Sequence, residues 1–143
     1  MKKLNRTESG QSLVEFALMF TVLTIILMGV LDLGRAFYAL IALQDAVSEG
    51  ATFAAMNPTC LTASSGAQCA DPNNATWRTK NASPAGMVIS NSISVRVYAS
   101  DTSSGSPITV TTSYTHPLVG FVIGSIVGSN ELPLQAQSAA IIQ

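Results

Sequence analysis

Residues 10–38 read GQSLVEFALMFTVLTIILMGVLDLGRAFY, and the apolar excess of the chain is concentrated in this stretch. Between Leu13 and Leu33 the only ionisable side chains are Glu15 and Asp32. At a rise of about 1.5 Å per residue these positions form about 31 Å of helix, which matches the roughly 30 Å hydrocarbon core of a bilayer. The sequence therefore predicts one membrane-spanning helix.

Composition and charge agree with a chain that lies only partly in water. Charged residues make up 10% of the chain, far below the roughly 25% of soluble domains. The net charge is -1 and no charged run follows the first ten residues, so no nucleic-acid surface is expected. Lys2, Lys3 and Arg6 precede the span, and positive residues beside a first span keep that end in the cytoplasm. The remainder is therefore expected to be exported.

A cleaved secretory signal is the alternative explanation of a basic start followed by an apolar run. The apolar region of such a signal has about 7 to 15 residues and ends at a small-residue cleavage site. Here the apolar run is longer and continues into a helical pattern without such a break. A retained span is the preferred interpretation.

The helix is expected to continue past the membrane and to end at Met56. No proline interrupts residues 12–56, and Asn57-Pro58 then stops the pattern. Beyond the span, apolar positions recur at steps of three and four residues, namely Ala36, Leu40, Leu43, Val47, Gly50 and Ala54. This spacing predicts an amphipathic helix that offers one face to a folded domain.

The C-terminal half changes to the alternating periodicity of strands. Residues 93–98 and 108–114 alternate apolar or β-branched with polar side chains, and the turn residues 101–107 separate them. These segments predict an antiparallel hairpin, to which a third strand at about 132–142 is added. The predicted fold class is α+β: a long N-terminal helix over about 12–56 with a small antiparallel sheet of three to four strands on its exported half.

Two connecting segments are less regular. Residues 58–86 are rich in Ser, Thr, Ala, Asn and Pro and predict an irregular loop, in which Asp71-Pro72 could cap and start a short helix carrying Trp77. The apolar insertion 117–128 is too short to span a membrane. Its glycine spacing is similar to that of packed membrane helices, but a buried loop or a hydrophobic tongue is preferred. If exposed, it would contact another subunit or the membrane surface.

The two cysteines predict a disulfide. Cys60 and Cys69 fall in the exported loop, where an oxidising compartment favours the bridge. In the chain-entropy model a loop of about ten residues gains roughly 2 to 3 kcal/mol from it. A zinc site would need more ligands, because His116 is the only histidine. No metal and no cofactor are expected.

The sequence contains few candidate catalytic residues. It has one histidine, few exported carboxylates and no glycine-rich phosphate loop after a strand. Asp45 and Glu49 are four residues apart, but a solvated helix face explains them better than an acid and base pair. A structural or binding role is expected instead.

Asp32 and Arg35 lie one turn apart near the exported end of the span. An intrahelical pair would contribute a few tenths of a kcal/mol, on the order of an exposed helix pair. A contact between subunits is the alternative. Gly34 lies between the two residues and permits close approach of another helix.

A basic leader ends in Gly10, and a glutamate follows at Glu15 inside the apolar helix. This junction resembles that of type IV prepilins, in which a prepilin peptidase cuts after the glycine and the fifth mature residue is a glutamate. A cut between Gly10 and Gln11 makes Glu15 the fifth residue. Residues 31–38 and 46–51 are similar to two helix motifs of the TadE family of the tight-adherence (Flp, type IVb) pilus system.

The family resemblance is strong over the first 55 residues and loose beyond Pro58, where residues 108–114 and 132–140 look similar to the family's terminal strands. It implies a pilin-like organisation with five parts. These are a cytoplasmic leader at 1–10, a transmembrane helix at 11–34, an exported helix at 35–57, the irregular loop at 58–86, and a small sheet at 87–143 with the insertion 117–128.

The resemblance also implies a role for Glu15 in assembly. In pilins this carboxylate pairs with the new N-terminal amine, here that of Gln11 on a neighbouring subunit. A glutamate at the headgroups that favours the helix dipole is the simpler alternative. The implied partners are other pilin subunits, the prepilin peptidase and the inner-membrane assembly platform.

Three structural roles follow from these features. The resemblance implies a minor pilin that primes or caps the assembly of an adhesive fibre made mainly of a smaller pilin. A major subunit that forms the fibre itself is the first alternative. An unprocessed membrane-anchored binding or accessory protein is the second, and it would need neither a cut at Gly10 nor a glutamate inside the span.

Overall fold

A computed structural model describes residues 8–82, 93–120, 124–125 and 128–143. In chain order the helices and strands are α1 (Glu8–Met56), α2 (Ala75–Ala82), β1 (Ile93–Ala99), β2 (Pro107–Pro117) and β3 (Glu131–Ile141). Two short 3₁₀ turns, Ala63–Ser65 and Ala67–Cys69, precede α2. The predicted α+β class, with a long N-terminal helix and a small antiparallel sheet, is confirmed.

Helix α1 is one continuous element of 49 residues, which corresponds to about 73 Å. It begins before the predicted start at residue 12 and ends at Met56, directly before Asn57-Pro58. Within the apolar part, the hydroxyls of Thr21 and Thr24 donate to carbonyl oxygens four residues earlier, at 2.9 and 2.8 Å. These bonds satisfy the only hydroxyls between residues 13 and 33, as a lipid environment requires.

The sheet is an antiparallel meander in the order β1-β2-β3. Val95 pairs with Thr112 in the first ladder and Val110 with Ser138 in the second. The predicted alternation is confirmed, because Ile93, Val110 and Tyr114 point into the core while their neighbours along the strands are more exposed. The inner face of the sheet therefore packs on α1, and the outer face carries Ser, Thr, Gln and Arg side chains.

The contact between α1 and the sheet uses small side chains. Of the predicted apolar face, Leu43 and Val47 are buried as expected, but Leu40 is 36% exposed. Ala39, which is 2% exposed, takes its place in the core. The buried face thus follows the 3.6-residue period through alanines, and these allow the strands to approach the helix closely.

Helix α2 crosses α1 at Gly50. A Cβ atom added there would overlap the hydroxyl of Thr79 and lie 3.5 Å from the carbonyl oxygen of Ala75. The Thr79 side chain is fully buried and its hydroxyl donates to that same oxygen at 2.8 Å. The two helices can therefore approach this closely only because residue 50 is glycine.

The segment predicted as an irregular loop contains α2, and the expected short helix carrying Trp77 is present. Its cap differs from the expectation. The Oδ1 atom of Asn74 accepts from the Trp77 N–H at 2.8 Å, whereas Asp71 accepts from the Asn74 side chain at 2.6 Å. Asn74 is the better cap because it is fully buried and also donates to the carbonyl oxygen of Cys69 at 3.1 Å. Residues 83–86 of the predicted loop lie outside the described residues.

The apolar insertion between β2 and β3 is described in part, since residues 121–123 and 126–127 lie outside the described residues. The Leu118 N–H donates to the carbonyl oxygen of Asn130 at 2.9 Å, which closes the base of the insertion. The Gly128 N–H donates to the carbonyl oxygen of Gly124 at the same distance. The base of the insertion thus continues directly from the sheet.

Candidate assembly site on the N-terminal helix

The predicted cleavage and assembly residues lie at the exposed start of α1. Gly10, Gln11 and Glu15 are all exposed, and nothing lies within 4 Å of a Cβ added at Gly10. The Gln11 side-chain amide donates a long hydrogen bond to Glu15 Oε1, at 3.5 Å. Position 11 and the carboxylate therefore lie within one helical turn, and both are accessible to another molecule.

Most of the apolar half of α1 has no cover from the rest of the described chain. In its most apolar 18-residue segment 0% of the residues are buried, and the helix is long and apolar enough to cross a membrane. The Phe16 and Phe20 rings are exposed and lie 6.0 Å apart. A helix of this character fits a single-pass membrane anchor, and lipid or other helices must cover it.

Gly34 is exposed, and no atom of the described chain comes within 4 Å of a Cβ added there. Within the described chain, no contact therefore requires glycine at position 34. This contrasts with Gly50, which α2 requires. The close approach of another helix at Gly34 remains a prediction, and that helix would have to come from a second molecule.

Asp32 lies in a pocket of its own chain. It is 4% exposed, and it accepts hydrogen bonds from the backbone N–H groups of Val119 (3.3 Å) and Gly120. No ion pair with Arg35 is present in the described part of the chain. A buried carboxylate needs donors close by, and two backbone N–H groups supply them. The sequence did not reveal this contact, because its partners are almost ninety positions away.

His116 lies close to the same junction and is 7% exposed. Burial, and then the positive charge of Arg35, lower the pKa of His116 below its ordinary value, while Asp32 acts in the opposite direction. Its Nδ1 atom has no hydrogen-bond partner among the described residues. The alternation of β2 could have found this residue, since 116 has the inward parity of Val110 and Tyr114.

Cys60 and Cys69 form the predicted disulfide, with Cα atoms 5.0 Å apart. The bridged segment holds the start of α2 through backbone bonds. The Ala75 N–H donates to the Cys60 carbonyl oxygen at 3.0 Å, and the Thr76 N–H donates to that of Leu61 at 3.1 Å. The disulfide therefore closes the segment that holds the start of α2.

An open groove of about 480 Å³ lies between α1 and α2, and sequence reasoning missed it. Its lining residues are Asp45, Glu49, Trp77, Arg78, Asn81 and Ala82. The Arg78 guanidinium lies over the Phe53 ring, 5.2 Å from its centroid. Within the described residues no group of three or more His, Cys, Asp or Glu side chains is arranged to hold a metal ion.

The comparisons with known proteins point to the same helix. The model of the TadE family, described as TadE-like protein, matches residues 10–52. No curated protein and no solved structure matches the chain significantly. The matched residues begin at Gly10 and include the whole apolar segment and most of the face that packs on the sheet. Over residues 10–52, which make up most of the N-terminal helix, the chain is therefore similar to the TadE-like family.

Proposed function

We propose that this chain is a minor pilin that primes or caps assembly of a tight-adherence pilus for surface adhesion. The observation that carries the proposal is the family match from Gly10 to residue 52, which includes an apolar segment that the described chain leaves largely uncovered. A helix with this exposure is suited to insert first into lipid and then among other helices. Its partners in the fibre are other pilus components.

Processing between Gly10 and Gln11 is the first step of the proposed mechanism. The exposure of both residues supports access by a prepilin peptidase. The cut creates a positively charged amine on Gln11, one turn from Glu15 along the helix. Leader residues 1–7 lie outside the described residues, so the proposal for 1–10 rests on the sequence pattern.

Pairing of Glu15 with the Gln11 amine of a neighbouring subunit is the second step. Opposite charges attract strongly in a medium of low dielectric constant, and a carboxylate left unpaired there is costly. The pair thus selects a helix that enters the bundle in the correct register. Arg35 and Gly34, both exposed on one chain, are available for further contacts along the bundle.

The proposed location is the bacterial inner membrane, with a cytoplasmic N-terminus and an exported C-terminal half. The basic leader supports this orientation. The disulfide between Cys60 and Cys69 supports exposure of that half to an oxidising compartment. The inner-membrane assembly platform would then receive the processed helix.

A cleavage-blocking variant tests the proposal. Gly10→Ile leaves the fold unaffected, because nothing lies near an added Cβ at that position. We expect this chain to insert in the membrane, to keep the mass of the precursor and to fail to support fibres in its native host. Gly34→Ala serves as a glycine control for processing and is cut normally. Normal fibres from an uncut Gly10→Ile chain would contradict the minor-pilin mechanism and favour a tethered accessory protein.

A further inference from the structure

The backbone that follows β2 returns to the membrane helix. Pro117 ends the strand, and the next three residues are Leu118, Val119 and Gly120. The N–H groups of Val119 and Gly120 donate to Asp32, a residue of the apolar segment of α1. A part of the C-terminal half therefore lies against the span.

The depth of this contact follows from the neighbours of Gly120. A Cβ atom added at Gly120 would lie 2.5 Å from Asp32 Oδ2 and 3.3 Å from Met28 Cγ. Met28 is one turn, about 6 Å, closer to the centre of the span than Asp32. The backbone at 120 thus lies beside the last turns of the apolar helix and not beyond its end.

Asp32 provides hydrogen-bond acceptors for backbone N–H groups that are not part of a helix or sheet at this depth. Backbone N–H groups without partners cost several kcal/mol in hydrocarbon, on the order of a lost hydrogen bond each. Asp32 accepts from both N–H groups, and the missing side chain of Gly120 lets the two segments approach. The same bonds supply the donors that a buried carboxylate needs.

The side chains of this segment suit lipid. Val119 is 66% exposed and apolar, and Leu118 is half-buried beside it. In the sequence the apolar character continues to Val127, with Ser125 as the only polar side chain. The span itself also exposes apolar side chains near its end, such as Leu31, which is 60% exposed.

We propose that Leu118–Gly120 is a second membrane-contacting segment, which Asp32 holds against the end of the span so that Val119 lies in lipid. The segment fixes the distance between the sheet and the bilayer, because it continues directly from β2. Asp32 acts here as a positioning residue. The proposal goes beyond the role in the pilus and requires only that α1 spans a membrane.

Spin labelling of the full-length chain in phosphatidylcholine and phosphatidylglycerol vesicles tests this proposal. Both native cysteines are in the disulfide, so a label attaches only at an introduced cysteine. Labels are placed in separate chains at Val119→Cys, at Leu31→Cys as the lipid reference, and at Tyr98→Cys as the aqueous reference. We expect the label at 119 to collide more with oxygen than with a water-soluble nickel complex, as the label at 31 does, and the label at 98 to behave in the opposite way.

Variants of the contact complete the test. Asp32→Ala removes the acceptor and Gly120→Ala prevents the approach, so each should raise the nickel accessibility at 119 severalfold without changing that at 31. Unchanged mobility of the label at 98 reports that the sheet is still folded.

An aqueous signal at 119 in the unaltered background would overturn the lipid contact. Dipolar broadening between labels at 119, with both collision rates suppressed, would identify a second copy as the occupant and also overturn it. A signal at 119 that neither variant changes would overturn the role of Asp32.

Discussion

Glu15 and Asp32 are the two carboxylates of the apolar helix, and their surroundings are opposite. Glu15 is exposed at the start of α1, whereas Asp32 is 4% exposed and bonded to the backbone of its own chain. A carboxylate that the chain itself satisfies has little to offer a neighbour. Asp32 therefore makes its contacts within one chain, and the exposed Glu15 is the carboxylate that we propose for contacts between molecules.

Replacement of Glu15 separates assembly from insertion. The proposed pairing with the Gln11 amine requires the Glu15 carboxylate. For Glu15→Ala we therefore expect normal membrane insertion and a loss of fibre assembly of tenfold or more, on the order of one uncompensated charge contact. Fibres are counted by electron microscopy, and insertion is checked by carbonate extraction. Glu49→Ala, an exposed carboxylate on the exported part of α1, is the matched control and leaves assembly intact. Equal fibre numbers in Glu15→Ala and the control would disprove the pairing.

The surroundings of His116 predict a loss of stability in mild acid. Its pKa is lowered in the folded chain, so the folded state binds fewer protons than the unfolded state. Its contribution is complete above the unfolded pKa of about 6.5 and is lost as the pH falls through that value toward the folded pKa. Protonation would add a buried N–H without an acceptor next to the charge of Arg35.

Thermal unfolding of the detergent-solubilised chain between about pH 7.5 and 5.5 measures this effect, over a range that lies above the ordinary carboxyl pKa values. We expect a lower Tm at the acid end. His116→Phe keeps a ring near Tyr114, whose own ring lies 6.0 Å from that of His116, and it should reduce the dependence on pH. The same slope in both chains would assign the acid sensitivity to other groups.

Between elements, the crossing of α1 and α2 leaves no room for a larger residue at Gly50. Gly50→Ala forces a Cβ into the Thr79 hydroxyl, and overpacking of this kind costs about 1 to 3 kcal/mol, of which the higher helix propensity of alanine returns up to about 1 kcal/mol. We expect a net loss in the free energy of unfolding. Gly34→Ala has the same change in propensity with open space around it and is expected to be neutral or stabilising.

Fluorescence in denaturant measures this difference, because Trp77 is the only tryptophan and lies in α2. The double variant Gly50→Ala with Thr79→Ala removes the overlapping hydroxyl and should recover part of the loss. Equal stability of Gly50→Ala and Gly34→Ala would show that the crossing tolerates a wider spacing.

The disulfide is expected to stabilise the turns that lead into α2. Paired replacement of Cys60 and Cys69 by serine should lower the free energy of unfolding by roughly 2 to 3 kcal/mol, as the chain-entropy model gives for a loop of this size. Chemical denaturation of the two chains measures the difference. Labelling of both thiols in unreduced exported protein would refute the bridge itself.

Local periodicity predicted most elements but not their contacts. The end of α1 at Asn57-Pro58 and the inward parity of β1 and β2 follow from local rules, and the structure agrees with them. Leu40 was wrongly placed in the core, because hydrophobicity alone favours leucine over Ala39 where the close approach of a sheet favours the smaller residue. The Asp32 contact with residues 119–120 depends on tertiary structure that no local pattern contains.

In the whole molecule, the two halves of α1 lie in different surroundings. Its first half is uncovered in the described chain except near Met28 and Asp32, and its second half carries the sheet and α2 on a face of small residues. This division matches a subunit whose first half enters a helical bundle while its second half presents a folded domain. The outer sheet face and the groove beside Trp77 remain on the surface of that domain.

The proposed mechanism requires that this helix is processed and enters a fibre. Its most direct test is the intact mass and N-terminal sequence of the chain recovered separately from membranes and from sheared surface fibres of the native host. We expect a chain in the fibres that starts at Gln11 and is scarce relative to the main subunit. An abundant chain starting at Gln11 would make it the major pilin, and a chain that starts at Met1 and stays in the membrane would contradict the pilin mechanism.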